Sequence, residues 1–294
     1  MRHVITFVRT VSLLGVLCTA LAGCGDAPGA RPRPVPPEKP AAAARPSPTG
    51  VPPTMAPGPA GITPVFERGS AAAGRTVALT FDADMTADQG PRAARGERFD
   101  NPALIATLRR LKVDATVFMT GRWAEEYPDQ ARAIGNDPRF EIANHSYSHH
   151  AFKAPCYGLP ALGRQDMAAD VRRAFDAFRA AGARNVVPYF RFPGGCYDDD
   201  ALRALTAAKV TAVQWDVVGG DAFATDPDAV AEQVLADVRP GSLVVLHCTR
   251  SAAPATEQAV RRIVPELRGR GYRFVKVSDL MAAAGRGAPA ADLP

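Results

Sequence analysis

The sequence predicts an α/β fold built on a parallel β-sheet, and three observations predict it. Short β-branched or apolar runs alternate with helical patterns from Arg75 onward. The alternation gives seven strands, each but the last followed by a helix. Ionisable side chains gather where those strands end. Parallel neighbours need crossover connections, so repeated strand–helix units imply a parallel sheet. An open doubly wound sheet and a (β/α) barrel both satisfy the pattern, and in a barrel the chemistry collects at the carboxyl ends of the strands.

The elements follow in order. Thr76–Phe81 reads as a buried strand. Pro102–Leu111 reads as a helix, with Asn101 as its N-cap and proline at its first position. Ala115–Met119 is the second strand, ended by Gly121; a weaker helix covers Pro128–Gly135, and Phe140–Ala143 is the third strand. Met167, Val171, Phe175 and Phe178 recur at helical spacing through Ala181. A strand at Val187–Phe190, a helix at Asp199–Ala208 and a strand at Val210–Trp215 come next. A helix at Pro227–Val238 precedes the strand Ser242–Leu246, and a helix at Thr256–Arg268 leads to the last strand, Arg273–Val277.

The chain ahead of these units is of another kind. Residues 1–23 read as an export signal: Arg2 and Arg9, then an apolar run from Val11 to Leu21, shorter than the ~20 residues a membrane span needs. The run ends in Leu21-Ala22-Gly23-Cys24, which looks like a bacterial lipobox, with Cys24 as the lipidated first residue of the mature chain. Residues 25–64 hold 13 of the 27 prolines and show no apolar periodicity. Such a composition cannot offset its ordering entropy by burial, so residues 24–73 are expected to form a Pro/Ala-rich tether. The folded domain is then 74–285, with 286–294 a flexible tail. The expected location is the outer face of a bacterial cell membrane, in the cell-wall space.

Charge sharpens this division. The net charge is +5 and the isoelectric point about 9.1. The leader carries two arginines and no acid, and residues 24–64 carry four basic and two acidic side chains, so only one net positive charge belongs to residues 65–294. A near-neutral body removes the main support for nucleic-acid binding, and nothing in the sequence points to a protein partner.

The polar residues then fall into place. Of five histidines, four lie at strand ends: His145, His149, His150 and His247. Asp82 and Asp84 follow the first strand, Arg191 the fourth, Asp216 the fifth and His247 the sixth. A lone strand-end acid is usually a cap or turn residue, but ionisable groups at five of the seven strand ends exceed what capping requires. His145 and His149, four apart, can face one point from a helical turn or a loop close to it, and imidazole is a good zinc ligand. A third ligand is usually a carboxylate, available here from Asp82 or Asp84. Among the body cysteines, Cys156, Cys196 and Cys248, export favours one disulfide, and Cys156–Cys196 is the preferred pair.

Five ordered motifs carry a resemblance. Thr80-Phe81-Asp82-Ala83-Asp84 stands for TFDDG; His145 to His149 matches H-[ST]-x-x-H; Arg191-Phe192-Pro193-Gly194-Gly195 matches R-x-P-x-G. Trp215 to Asp221 stands for the fourth motif, and Leu243-Val244-Val245-Leu246-His247 for the fifth. Over roughly residues 74–280 the chain resembles polysaccharide deacetylases with the NodB homology domain, carbohydrate esterase family four. The resemblance implies a distorted (β/α)7 barrel and a metal-dependent hydrolase that removes N-acetyl groups from a glycan. The lipid-anchored location favours peptidoglycan amino sugars.

It further implies roles for single residues. His145 and His149 would hold a divalent metal, most expectedly zinc, with cobalt, nickel or manganese as alternatives. Asp82 would be the base, oriented by Arg191; Gly194, beside Pro193, would offer an oxyanion-binding N–H. His247 would be the general acid, supported by Asp216 or Asp221, and Trp215 and Val245 would wall the acetyl site. Three departures stand out. Ala83 replaces the family's metal-binding aspartate, so Asp84 is expected to serve. Ala222-Phe223 stand where the fourth motif usually ends in tryptophan, with Val218 replacing another aspartate. Val245 replaces a leucine. A glycan-binding module of the same fold that has lost catalysis, and a hydrolase of O-acetyl esters or another amide, are the competing readings.

Overall fold

A computed structural model describes residues 51–286. The expected signal peptide, Cys24 and most of the expected tether lie outside the described residues, as does the tail beyond residue 286. Among the described residues nine strands form one sheet: β1 (Val65–Phe66), β2 (Thr76–Ala83), β3 (Ala115–Met119), β4 (Phe140–Asn144), β5 (Val186–Phe190), β6 (Thr211–Val213), β7 (Val217–Val218), β8 (Ser242–His247) and β9 (Arg273–Phe274). Their order is β1-β6-β5-β4-β3-β2-β8-β7, with β9 beside the start of β2, and every pairing is parallel. The sheet curls into a distorted barrel, and its two end strands, β1 and β7, do not pair with one another.

Helices cover the outside: α1 (Gly90–Ala94), α2 (Pro102–Arg110), α3 (Gly121–Glu126), α4 (Pro128–Gly135), α5 (Met167–Ala180), α6 (Asp199–Leu205), α7 (Pro227–Asp237), α8 (Thr256–Gly269) and α9 (Val277–Arg286). Asn101 caps α2 as its sequence predicts, its side-chain oxygen accepting from the Leu104 amide at 3.1 Å. No helix among the described residues is long and apolar enough to cross a membrane.

Strand alternation sorts the side chains between two cores. Val77, Leu79, Phe81 and Ala83 of β2 face the helical layer, where they join Val117 and Met119 of β3 and Val244 and Leu246 of β8. Ala78 faces the other way, into a smaller core with Phe118, Tyr189, Leu243 and, from α9, Leu280 and Met281. Above that smaller core the same inward face carries Thr80 and then Asp82. The period-2 rule therefore puts an acid at the mouth of the barrel and an alanine, Ala83, in its outer wall.

Four expectations need correcting. The folded body begins well before residue 74: Val65 and Phe66 pair with Ala212 and Val213, Phe66 is buried, and the Tyr189 hydroxyl donates to the Pro53 carbonyl at 2.8 Å. This proline-rich run covers the edge of β6, where an extended chain needs few amide donors. Second, β1 and β7 raise the strand count from seven to nine, and at two residues each they carry no periodicity. Third, the last strand ends at Phe274, and the chain turns into α9. That helix starts where β3 and β4 cap it: Thr116 Oγ1 accepts from the Val277 amide at 3.0 Å, and the buried Glu141 carboxylate accepts from the Ser278 amide and hydroxyl at 3.1 and 2.6 Å. Burial pushes the Glu141 carboxyl above its ordinary value against these bonds. Fourth, α1 and α3 fill stretches to which the sequence assigned no element. Thr120 caps α3 through the Trp123 amide, and the Trp123 indole N–H donates to the Phe99 carbonyl at 2.7 Å.

Candidate active site

The residues singled out in sequence meet at the carboxyl ends of the strands. Asp82 ends the inward row of β2 and, by register, lies beside both His247 on β8 and Phe118 on β3. Arg191 follows β5 and is fully buried. Its Nη1 donates to Asp82 Oδ1 at 2.6 Å, while Nε and Nη2 reach the carbonyls of Val213 and Gln214 at 3.3 and 3.4 Å. The guanidinium lies 3.8 Å from the Phe118 ring centroid and 5.4 Å from that of Trp215. Burial presses Arg191 down from its ordinary pKa, opposed by the charge of Asp82. The pair thus fixes one carboxylate oxygen and leaves the other, Oδ2, facing His145 Nε2 at 3.7 Å.

The two motif histidines sit on a loop after β4, not on a helical turn. Asn144 starts that loop: its side chain donates to the Val171 carbonyl of α5 at 2.8 Å and accepts from the Ser146 amide at 2.8 Å. Ser146 and His149 both take positive φ, 69° and 56°. The Ser146 hydroxyl accepts from the His149 amide at 2.9 Å, which holds the turn closed. Conformations of this kind persist where surrounding bonds over-determine them, and they cluster at functional sites. His145 is buried; its Nδ1–H donates to the Arg191 carbonyl at 3.0 Å, which leaves Nε2 with the lone pair. The two rings are 5.0 Å apart by centroid. Burial holds both imidazoles below their ordinary value, that of His149 at about 4, so both are neutral at pH 7.

Asp84, one residue past Ala83, faces His149: Oδ2 to Nε2 is 3.9 Å. Burial would raise its pKa, but His149 first and then His247 and Thr249 turn the balance, and the carboxyl lies below its ordinary value. Among the described residues no three His, Cys, Asp or Glu side chains form a closed metal cluster. The donor set nonetheless fits a divalent ion. It offers neutral imidazoles with one nitrogen free and carboxylates alongside, and two tetrahedral donors each about 2.1 Å from one ion stand ~3.4 Å apart. The His145–Asp82 and His149–Asp84 pairs, at 3.7 and 3.9 Å, are a few tenths of an ångström wider than that.

The second half of the site surrounds His247. Its Nδ1 bonds Asp221 Oδ1 at 2.9 Å. Asp221 is buried, and its Oδ2 accepts from the His247 amide at 2.7 Å and from the Thr256 hydroxyl. Burial alone would lower the imidazole pKa. The hydrogen bond and charge of Asp221, aided by Asp82 and Asp84, reverse that and raise it to about 9. Asp216 is elsewhere. Its carboxylate accepts from the Leu243 amide at 2.6 Å and the Ser242 hydroxyl at 2.9 Å, and it pairs with Arg68. These partners lie at the start of β8, four residues and ~13 Å of strand from His247. The reading of Asp216 as a support for the general acid is therefore corrected: it ties β8 to the loop after β6.

The remaining residues form the wall. Gly194 and Gly195 turn at φ 64° and 71° after the buried Pro193, and a Cβ on Gly195 would strike the Trp215 ring at 2.6 Å. Cys156 and Cys196 are bonded, with Sγ of Cys156 against Gly194. Among the described residues Cys248 is the free, buried thiol, and burial pushes it up to about 12. Val245 lies two residues before His247 on the same face and is buried. Asn144, Thr249 and Thr256 escaped the sequence reading, because a neutral polar side chain beside a motif gives no signal until its partners are known.

Comparison with known proteins points to one family. The polysaccharide deacetylase family profile matches residues 69–213. A chitooligosaccharide deacetylase of Sinorhizobium fredii is 31% identical over 198 residues, which span 64% of this chain and 86% of that one. A peptidoglycan-N-acetylglucosamine deacetylase of Bacillus cereus is 27% identical over 69% of this chain and 67% of its own length. A Bacillus anthracis CE4 family pseudoenzyme, solved as a mutant with restored enzymatic activity, superposes with a TM-score of 0.59 at 25% identity, covering 74% of this chain and 71% of that one. With this fold, this ordered set of strand-end residues and these relatives, the chain belongs to the polysaccharide deacetylase family of hydrolases.

Proposed function

We propose that the protein is a metal-dependent N-deacetylase acting on peptidoglycan amino sugars. One arrangement carries the reading: at one rim His145 and His149 lie against Asp82 and Asp84, at 3.7 and 3.9 Å, while His247 bonds the buried Asp221 at 2.9 Å, so that burial pulls the first two imidazoles down where Asp221 lifts the third. Opposed tuning of neighbouring titratable groups is how one site assigns a ligand or base and an acid at neutral pH. His145 and His149, with Asp84, would hold a zinc-type ion, which when bound supplies Lewis-acid polarisation of the acetyl carbonyl and acidifies the attacking water. Asp82 takes a proton from that water as its oxygen adds to the carbonyl carbon. The Gly194 N–H, beside Pro193, faces the developing oxyanion, and Trp215 and Val245 wall the acetyl group. His247 protonates the sugar nitrogen as the C–N bond breaks, giving acetate and a free amine.

The choice of peptidoglycan rests on location and kinship. The lipobox at Cys24 and the proline-rich stretch after it suit an enzyme held at the outer membrane face within reach of the wall, and one relative is a peptidoglycan-N-acetylglucosamine deacetylase. Purified protein given N-acetylated peptidoglycan fragments is expected to release acetate, to stop after chelation, and to recover on zinc addition. Activity on chitooligosaccharides alone would move the substrate to the class of the Sinorhizobium relative. Glycan binding without acetate release would make the chain a binding module, an outcome Ala83 makes worth testing. Cys24→Ala should shift the protein from the membrane to the soluble fraction of its bacterial host; unchanged membrane association overturns the lipid anchor.

A further inference from the structure

We infer that Thr249 is a positioning residue that lets Asp84 do the work for which Ala83 has no side chain, an inference that rests on the metal reading above. Strand alternation explains the need. Ala83 points out of the barrel into the packed layer with Phe81 and Met85, so the next side chain on the Asp82 face is that of Asp84. It lies one residue past the end of β2, where no sheet pairing fixes it. An unrestrained aspartate there would rotate among rotamers and meet the histidines only part of the time.

Thr249 removes that freedom. It is buried on the chain just after β8, two residues beyond His247, and its own carbonyl is held by the amides of Ala252 and Ala253 at 3.1 and 2.8 Å. Its hydroxyl accepts from the Asp84 amide at 3.1 Å and donates to Asp84 Oδ1. A hydroxyl has one proton and two lone pairs, so a single oxygen grips Asp84 at both backbone and carboxylate. With Oδ1 held, Oδ2 is the oxygen turned to His149, at 3.9 Å. Partners that orient a ligating carboxylate typically contribute 10- to 100-fold to metal affinity.

The test is zinc affinity of the metal-stripped full-length protein, read by competition with a chromogenic chelator and so independent of turnover. Thr249→Val is expected to weaken zinc binding ~10- to 100-fold, and Thr249→Ser to bind as the parent does. Asp84→Asn should weaken it at least as much as Thr249→Val, and Asp84→Asn/Thr249→Val no further than Asp84→Asn alone, because the two act as a unit. Should Thr249→Val not fold, Thr249→Ala also removes the hydroxyl. Undiminished affinity in Thr249→Val or Thr249→Ala, with Asp84→Asn weakened, overturns the role of Thr249 and leaves Asp84 as ligand. A Thr249→Ser protein as weak as Thr249→Val shows that the hydroxyl is not what matters. Undiminished affinity in Asp84→Asn overturns the ligand reading itself.

Discussion

Asp82→Asn is expected to lower acetate release by about 10²- to 10⁴-fold, the usual contribution of a positioned base, and to lower stability at the same time. The two effects have different origins. The amide cannot take the proton of water, so the chemical step is lost whatever the fold does. The stability loss falls on Arg191, which is fully buried and whose shortest bond, 2.6 Å, is to Asp82. Its other acceptors, the carbonyls of Val213 and Gln214, are farther away at 3.3 and 3.4 Å and carry no charge. Removing one partner of a buried pair typically costs ~3–5 kcal/mol, since the other charge is left uncompensated. Asparagine keeps one acceptor oxygen, so the cost belongs near the low end. Replacing both charges separates the effects: Asp82→Asn/Arg191→Met should regain part of the lost melting temperature and stay inactive. Acetate assays and thermal melts of the three proteins check this, and full activity in Asp82→Asn would overturn the base assignment.

The sequence made most of this site legible because buried parallel strands write themselves as apolar runs and the functional groups sit where the runs stop. Thr76–Phe81 and Ser242–Leu246 were readable for that reason, and with them Asp82 and His247. What escaped depends on contacts distant in sequence. The start of α9 is capped by Thr116 and Glu141, more than a hundred residues earlier. Asp216 and Asp221 both trail the fifth predicted strand, and five residues of sequence do not say which carboxylate faces His247. Strand pairing does: β7 runs beside β8, which carries Asp221 on toward the strand's end while Asp216 stays at its start. The loss at position 83 and the candidate replacement Asp84 were plain in the first motif, but the residue that holds Asp84 was not, because a threonine after the fifth motif has no spacing rule that links it to the first.

Asp221→Asn carries the second large effect, and its signature lies in the pH profile. His247 acts as an acid, so only its protonated form serves. With Asp221 present its pKa is about 9, and the step it serves persists through neutral pH and fails as pH rises through about 9. Without that carboxylate, burial, which by itself lowers the imidazole, acts unopposed by its main partner, and the alkaline limb should move down to or below the ordinary value near 6.5. At pH 8 most His247 would then be neutral, and the rate should fall ~10-fold or more, with a smaller loss near pH 5.5. His247→Ala should lose about 10²- to 10⁴-fold at every pH and show no such limb. The same linkage bears on folding. A raised histidine pKa contributes stability that is full below about 6.5 and is lost as pH rises through about 9, so the melting temperature of the parent should decline over that window and that of Asp221→Asn should not. An alkaline limb of kcat that stays put in Asp221→Asn would mean that another group donates the proton. A limb that moves while the high-pH decline in melting temperature also disappears would tie both to the one hydrogen bond between His247 Nδ1 and Asp221 Oδ1.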